Sequence, residues 1–538
     1  MKLERSFPQP DTERARVYRA AGYWRNDTIP GLFASVAASV PGKIAVRDAS
    51  GASITYLEIE RSAGSIAGFL LEAGVGKGDV VTVCLPNWWQ AVAVFLGVMR
   101  IGAVLNPVPT TYGRADIAYV LGKCRSRALF VPGRFRGVEY GPVVAALDLD
   151  IPVVQVGDAN EQFGIPLAQI IEGEPARETI DFSADDPAAV LFTSGTEAKP
   201  KGAVHTHNTI LFGERAMALA IGIGSGDTGF MASPISHATG FLHGIVMTLT
   251  TGGTLSLLDV FSGPVAARQM REHRCTWTMG ATPFLSDVSD ALETSSSRLP
   301  DLRYFLCGGA PVPEVLVRRA TDLGLRVLSI YGSTESPPHT IVHPEDPVEN
   351  AWTTDGRPLA GIEAGIVSDG REVLPLGETG EERSRGPNTC LGYLDEPALT
   401  AKDFDDDGWY YSGDLARQLP DGSIRIAGRL KDIIVRGGQN ISAREIEEYL
   451  IAHPAVHAAA VVGVPHHRLG ETGCAVLVLK SKCSLTLSEL TVYLSGLGIA
   501  RYKLPERLEI WPSLPATPSG KIQKFLIRKM LNNEKVST

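Results

Sequence analysis

Several things are scarce or missing in this 538-residue chain, and each absence narrows what it can be. The seven cysteines, at positions 84, 124, 275, 307, 390, 474 and 483, include no Cys-x-x-Cys pair, so neither a zinc site nor a disulfide framework is suggested. Reduced, mostly buried thiols in a cytosolic protein are the expectation. Acid outweighs base, with 60 Asp and Glu against 51 Lys and Arg and a formal net charge of −9. No dense basic block occurs either, and both features argue against a nucleic-acid partner. The most apolar window, 91–105, is broken by Arg100 and holds two glycines, too short and interrupted for a membrane span. The opening residues are charged and lack the apolar core of a secretory signal, and the last residues are not a peroxisomal address, so the cytoplasm is expected. Internal repeats and low-complexity tracts are absent. So is the spacing Gly-x4-Gly-Lys-Ser/Thr of the common NTPase phosphate loop.

What is present is an ordinary globular composition, 44% hydrophobic and 21% charged. The length exceeds what one core usually serves, which predicts more than one domain. Strand-like segments at 79–85, 103–105, 128–131, 153–156, 254–258, 304–306 and 326–330 alternate with helix-like ones at 88–100, 265–274 and 315–323. This is the rhythm of parallel sheets covered by helices. After about residue 360, glycines and charges punctuate short strand-like pieces, which read as an antiparallel, barrel-like module ending in a strand at 423–427. A compact α+β unit follows, with a strand at 433–435, a helix at 443–451, strands near 458–464 and 475–479, and a helix near 487–494. A domain boundary is expected at about 429–431.

Five motifs carry chemistry. The run 191–202 follows an apolar stub and packs hydroxyls, glycine and lysines together. Hydroxyls and free backbone N–H groups donate to a polyphosphate and lysines supply the opposite charge, although such a run alone is as often a polar turn. Tyr331-Gly332-Ser333-Thr334-Glu335 ends a strand, where open α/β sheets bind ligands. Its ring, tight turn, hydroxyls and carboxylate suit a base, a phosphate and Mg2+, and a plain strand-ending turn explains them as well. In Trp409-Tyr410-Tyr411-Ser412-Gly413-Asp414, the carboxylate offers two acceptor oxygens to two ribose hydroxyls, or sits in a surface turn. The fourth motif is Gly428-Arg429-Leu430-Lys431-Asp432, with Arg436-Gly437-Gly438-Gln439-Asn440 just beyond it. The fifth, Thr517-Pro518-Ser519-Gly520-Lys521-Ile522, presents a lysine on a Pro/Gly loop and by itself is an exposed basic turn.

In this order and approximate spacing, over nearly the whole chain, the five resemble the adenylate-forming (ANL) superfamily: acyl-CoA synthetases, carrier-protein adenylation domains and beetle luciferases. The opening segment 18–24 resembles that of medium-chain, cyclohexanecarboxylate or aryl acid CoA ligases. The resemblance implies an α/β fold, with a large N-terminal domain (1–429) of two helix-covered βαβ sheets plus the barrel-like module. A small mobile α+β C-terminal domain (430–538) would carry the catalytic lysine.

It implies an ATP-dependent carboxylic acid–CoA ligase that forms acyl-AMP, releases pyrophosphate, then passes the acyl group to CoA by domain alternation, with ATP, Mg2+ and CoA as cofactors. By that likeness Thr193, Ser194, Gly195, Thr196 and Lys201 hold the β- and γ-phosphates. Gly308, Gly309, Ala310 and Pro311 lie along the adenine, with Tyr331 stacking and Gly332 beside it. Thr334 contacts the α-phosphate, Glu335 holds Mg2+, and Asp414 and Arg429 grip the ribose. Lys521 bridges the carboxylate and the α-phosphate, Lys431 is the hinge, and Gly437 and Gly438 let the pantetheine arm of CoA approach.

Residues 233–240 resemble the acyl-pocket motif, with His237 as gate and Ser236 and Phe284 as lining. No Asp or Glu occurs at 230–246, where a buried ammonium would need a partner, so an amino-acid substrate is not expected. Ala238 stands where relatives activating ortho-hydroxylated aryl acids carry Asn, so a medium-chain, alicyclic or aryl carboxylate is favoured. One departure is Glu197-Ala198, where the family has Thr or Ser, then Gly. A carboxylate there is unfavourable beside a triphosphate unless it points away or pairs with Lys199 or Lys201. Two alternatives stay open: transfer to a carrier protein's phosphopantetheine, and an inactive nucleotide- or acyl-binding sensor. A homodimer is compatible with the sequence, and neither nucleic-acid nor integral-membrane association is expected.

Overall fold

A computed structural model describes residues 7–176, 180–193, 200–309, 312–437, 439–517 and 520–533. Two large sheets dominate the N-terminal part. In the nine-stranded sheet, six strands run parallel in the order Val327–Tyr331, Tyr304–Gly308, Trp277–Gly280, Thr228–Met231, Thr254–Leu257 and Ile44–Arg47. Antiparallel pieces edge it on both sides. The seven-stranded sheet runs from Lys201–Thr206 through Pro187–Thr193, Val104–Pro107, Val80–Val83, Ala128–Pro132 and Val153–Val156 to Ile165–Pro166, antiparallel only in its first pair.

Val80–Val83 and Ala128–Pro132 are buried along their whole length. That explains their continuous Val/Leu/Phe character, since both faces of a parallel sheet are covered. The two sheets share one core, in which Val81, Leu105 and Phe130 of one join Val46, Leu255 and Leu306 of the other through the helices between them. Helix Trp89–Arg100 lies in that core and is buried nearly all round. It approaches helix Tyr56–Glu72 so closely that a Cβ on Gly97 would meet Ile66 at 2.8 Å.

The module after residue 360 is antiparallel, as its punctuation suggested. It is an open meander of Glu363–Val367, Thr379–Arg385, Tyr410–Gln418 and Ile424–Arg429, with the first and last strands at its edges. The final part has its own five-stranded sheet. Gln439–Ser442, Ile433–Arg436, Gly470–Leu479 and Val456–His466 follow one another, and Arg507–Ile510 joins Gly470–Leu479 in parallel. Helices Ala443–Ile451 and Leu487–Gly496 cover one face with their own apolar cluster, and Lys524–Asn533 packs Ile527 and Leu531 on the other. Arg507–Ile510 and Lys524–Asn533 carry no clear sequence signal. The first is four residues long, and the second buries only one apolar pair at helical spacing.

The C-terminal part rests on the meander through Ser442, whose hydroxyl donates to the Ala427 carbonyl at 2.6 Å, and through Arg425, whose guanidinium reaches Glu448 at 3.0 Å. Among the described residues, no helix is long and apolar enough to cross a membrane.

Candidate active site

The parallel strands Tyr304–Gly308 and Val327–Tyr331 end at a cleft of about 550 Å³, roofed by the meander and by the C-terminal part. Strand ends leave backbone groups unpaired and aim their following loops at one place, which is why ligands collect there. Thr193, Lys201, Thr334, Glu335, Asp414, Arg429 and Lys521 all line this one cleft. They come from four strands and two loops, between positions 193 and 521 of the chain.

Asp414 and Arg429 face each other in register on neighbouring strands, with the guanidinium Nε 2.9 Å from Oδ1. The buried Asp414 carboxylate raises the pKa of Arg429. Gly413, at φ +70°, lies in an irregular stretch of its strand just before Asp414, and its N–H donates to Glu381 at 3.0 Å.

Lys521 is held from behind. Its N–H donates to the Thr517 hydroxyl at 3.0 Å, and its carbonyl accepts from the Thr517 N–H at 2.7 Å. Gly520, at φ +86°, sits against Ala281 and Pro283 of the N-terminal part. The neighbouring Arg429 and burial in the cleft push the Lys521 pKa down to about 8. Six Lys and Arg side chains line the cleft against four Asp and Glu, a positive balance that suits a polyanionic ligand.

A second cluster surrounds Glu335, which is 4% exposed. The Tyr393 hydroxyl lies 2.9 Å from Glu335 Oε1 and 3.0 Å from Asp403 Oδ2, and the Lys201 ammonium donates to that hydroxyl at 2.6 Å and to Asp403 at 2.8 Å. Burial and the Glu335 carboxylate drive the Tyr393 phenol pKa far up, so it stays a donor. Tyr393 and Asp403 had no sequence signal: Tyr393 is 192 positions from Lys201, and only the fold brings it there. His205, likewise unforeseen, lies buried behind the loop with Nε2 2.8 Å from the Thr334 carbonyl. Burial lowers its pKa to about 4, so the neutral ring donates through Nε2 to that carbonyl. Among the described residues, Thr193 Oγ1 at the end of its strand is buried without a hydrogen-bond partner.

The remaining expected residues divide. Gly309, Gly332, His237 and Lys431 line the cleft. The His237 ring presents much of its surface to the open space yet lies deep in the molecule. That depth, with the nearby Lys521 ammonium, lowers its pKa to about 4. Tyr331 stands beside the cleft and outside its lining. Its ring packs with Ile366, Ala416, Ile424 and Ile426, and its hydroxyl donates to Asp414 Oδ2 at 2.7 Å. Here it braces Asp414. Ser236 and Phe284 also fall outside the lining. Helix Thr282–Thr294 begins just before Phe284 and turns that ring onto Phe261, 4.2 Å away edge-to-face, leaving Met279, Gly280 and Ala281 as the wall. Gly437 lies off the cleft, at φ +57°, with its N–H on the Leu469 carbonyl. Ser194, Gly195, Thr196, Glu197, Ala198, Lys199, Ala310, Pro311 and Gly438 lie outside the described residues.

A cleft at strand ends with convergent cations, a cross-strand Asp–Arg pair and a lysine delivered by a second domain defines an enzyme that activates an acid with a nucleotide. Comparison with known proteins agrees. Residues 33–394 match the family described as AMP-binding enzyme, and residues 445–521 match the AMP-binding enzyme C-terminal domain. The chain is 42% identical to the medium-chain fatty-acid–CoA ligase of Escherichia coli (strain K12), over 98% of this chain and 94% of that one. It is 32% identical to the salicyl-AMP ligase / salicyl-S-ArCP synthetase of Mycobacterium tuberculosis, over 96% and 93%. The crystal structure of ATP-bound MatB from Rhodopseudomonas palustris superimposes with a TM-score of 0.84 at 28% identity, covering 94% of this chain and 99% of that one. The chain belongs to the AMP-binding enzyme family, and it is an AMP-forming acyl-CoA synthetase.

Proposed function

We propose that this protein activates a medium-chain, alicyclic or aryl carboxylate and transfers it to CoA, using the cleft residues in the roles their placement allows. The observation that carries the reading is that Lys521, from the C-terminal part, shares one cleft with Asp414, Arg429, Thr334 and Glu335. A carboxylate attacking a phosphate brings two anions together, and fixed cations must offset that charge. Lys521 and Thr334 would meet the α-phosphate and the incoming carboxylate, Asp414 and Arg429 the ribose, and Lys201 and the Thr193 hydroxyl the outer phosphates. Ser194, Gly195 and Thr196 would extend that contact, and Gly309, Ala310, Pro311 and Gly332 would flank the adenine.

The Glu335 carboxylate, braced by Tyr393 and near Asp403, is an all-oxygen donor set of the kind that takes Mg2+ together with substrate phosphates. When bound, the ion would neutralise charge developing on the phosphates.

The same cleft cannot serve the thiol step with Gly437 turned away, so residues 430–538 would rotate about Lys431 as a domain distinct from 1–429. Asp432, beside the expected hinge, would move with that part: Arg528 donates to it, and Lys524 lies 3.9 Å from it. Rotation would bring Gly437 and Gly438 toward the pantetheine arm. The acid class is supported by the 42% identical relative and by a wall that includes Ala238, Met279 and Ala281. The cytoplasm fits seven free cysteines, six of them buried.

The test is AMP formation from ATP and Mg2+ across acids from acetate to decanoate, plus cyclohexanecarboxylate, benzoate and salicylate, with and without CoA. AMP with one acid class, rising strongly with CoA, is expected. Pyrophosphate release without CoA stimulation would point to a carrier-protein acceptor, and silence in both activity and ATP-binding calorimetry would overturn the reading.

A further inference from the structure

One polar pair in the cleft wall takes no part in the steps above. Just past the acyl motif the chain winds into a π-helix, Thr239–Met247, a rare geometry that concentrates at functional sites. Two glycines allow the close packing there. A Cβ on Gly240 would lie 2.3 Å from the Pro234 carbonyl oxygen, and one on Gly244 would lie 2.9 Å from Met231. The π-helix carries His243 into the cleft lining, although the residue is only 4% exposed. Its Nδ1 lies 3.0 Å from both carboxylate oxygens of Glu214, itself 2% exposed on helix His207–Ile221. A carboxylate only accepts, so Nδ1 carries the proton and donates it. Among the described residues, neither side chain hydrogen-bonds to any other group. Among the described residues the other ring nitrogen, Nε2, has no hydrogen-bond partner, and it is not one of the side-chain atoms buried without a partner. His243 lines the cleft together with the apolar residues Ala238 and Met279.

Burying an imidazole and a carboxylate together costs solvation, and an unmatched ring nitrogen against an apolar ligand adds to that cost. The arrangement becomes favourable when the ligand supplies the missing partner. We propose that the acid this enzyme prefers carries a neutral hydrogen-bonding oxygen, hydroxyl or oxo, beyond its carboxylate, and that His243, oriented by Glu214, binds that oxygen. The inference rests on the reading that this stretch of the cleft takes the acyl group. A second carboxylate on the acid would set two anions against one imidazole, because Glu214 already faces the ring. An ammonium would need a bare carboxylate, and Glu214 is engaged by His243. A hydroxyl serves Nε2 whether that nitrogen accepts or donates, while an oxo group serves only a donating Nε2.

The test compares kcat/KM for pyrophosphate release with octanoate and cyclohexanecarboxylate against isomers of each bearing a hydroxyl or oxo group at successive carbons. In the wild-type enzyme, at least one oxygenated isomer is expected to exceed its parent by roughly 10- to 100-fold, the fold-change expected when the wrong ligand leaves one buried polar group unpaired. His243→Leu should invert that order, and Glu214→Met, which removes the acceptor that orients the ring, should bring the ratio toward one. The ratio does not depend on the fraction of enzyme that folds, and the wild-type ratio decides the matter even if both variants are insoluble. A wild-type enzyme that turns over the parents and prefers them to every oxygenated isomer overturns the role of His243 and leaves the acid class intact. Silence with parents and isomers alike overturns both.

Discussion

Lys521→Ala tests the site at its most exposed assumption. The lysine reaches the cleft from the last loop of the chain, held by Thr517 and by Gly520 against Ala281. Its charge is maintained at a cost, because Arg429 and burial lower its pKa to about 8. Such a cation is preorganised for an anion that arrives only with ATP and the acid. Removing one preorganised charge-stabilising donor typically raises a barrier by about 3–4 kcal/mol, or roughly 10²- to 10³-fold in rate. Pyrophosphate–ATP exchange should fall by that factor, while thioester formation from synthetic acyl-AMP and CoA should change less than about tenfold, since that step would use the rotated domain. Equal loss in both half-reactions would refute the assignment.

The same shift has a signature in stability. The folded pKa lies below the ordinary lysine value of 10.5, so between about pH 8 and 10.5 the unfolded chain binds the extra proton. Lys521 therefore makes the free protein less stable at neutral pH, a penalty that fades as pH rises through that window. Lys521→Met should raise the Tm of the ligand-free enzyme at pH 7, with the gain shrinking toward pH 10. In the wild type, kcat/KM for adenylation should fall as pH rises past about 8, because that ratio reports groups of the free enzyme.

Two further predictions concern the C-terminal part. Lys431→Pro restricts φ at the expected hinge within Leu430–Asp432 and should slow thioester formation at least about tenfold more than adenylation, measured as separate half-reactions; equal slowing would argue that the residue is only a linker. Lys524→Met removes the ammonium 2.8 Å from the buried Glu447, which also accepts from the Val461 N–H at 2.6 Å. An orphaned buried carboxylate costs about 3–5 kcal/mol, so urea unfolding of the C-terminal part should shift by that order, and by less as the pH is lowered. Its pKa is already raised by burial. No change in midpoint would show that the pair is solvated.

Much of this protein is legible in its amino-acid sequence. The alternation of strand and helix in the N-terminal part, the helix at Ala443–Ile451 and the strand at Val153–Val156 are local patterns, set by side-chain period and by turn residues. So are the motifs, of which 331–335 and 428–432 lie at strand ends, where residue types are dictated on the spot. Glu335, Asp414, Arg429 and Lys521 stand out in such motifs, and they meet in one cleft.

What tertiary structure alone decided is which groups those residues touch. Tyr393, from a loop, and Asp403, at the end of helix Pro397–Asp403, surround Lys201 and Glu335, and neither segment has a motif of its own. Tyr331 turns its hydroxyl to Asp414 because Ile366 and Ile426 take up its ring. Phe284, in the first turn of its helix, is packed against Phe261 and outside the cleft lining. Glu214 lies well before the acyl motif in the chain, yet the packing of its helix against the π-helix puts its carboxylate on His243. Sequence determines which local shapes and charges are available, since these depend on neighbours a few residues away. Contacts between segments far apart in the chain are set by how whole elements pack, and no short stretch of sequence contains them.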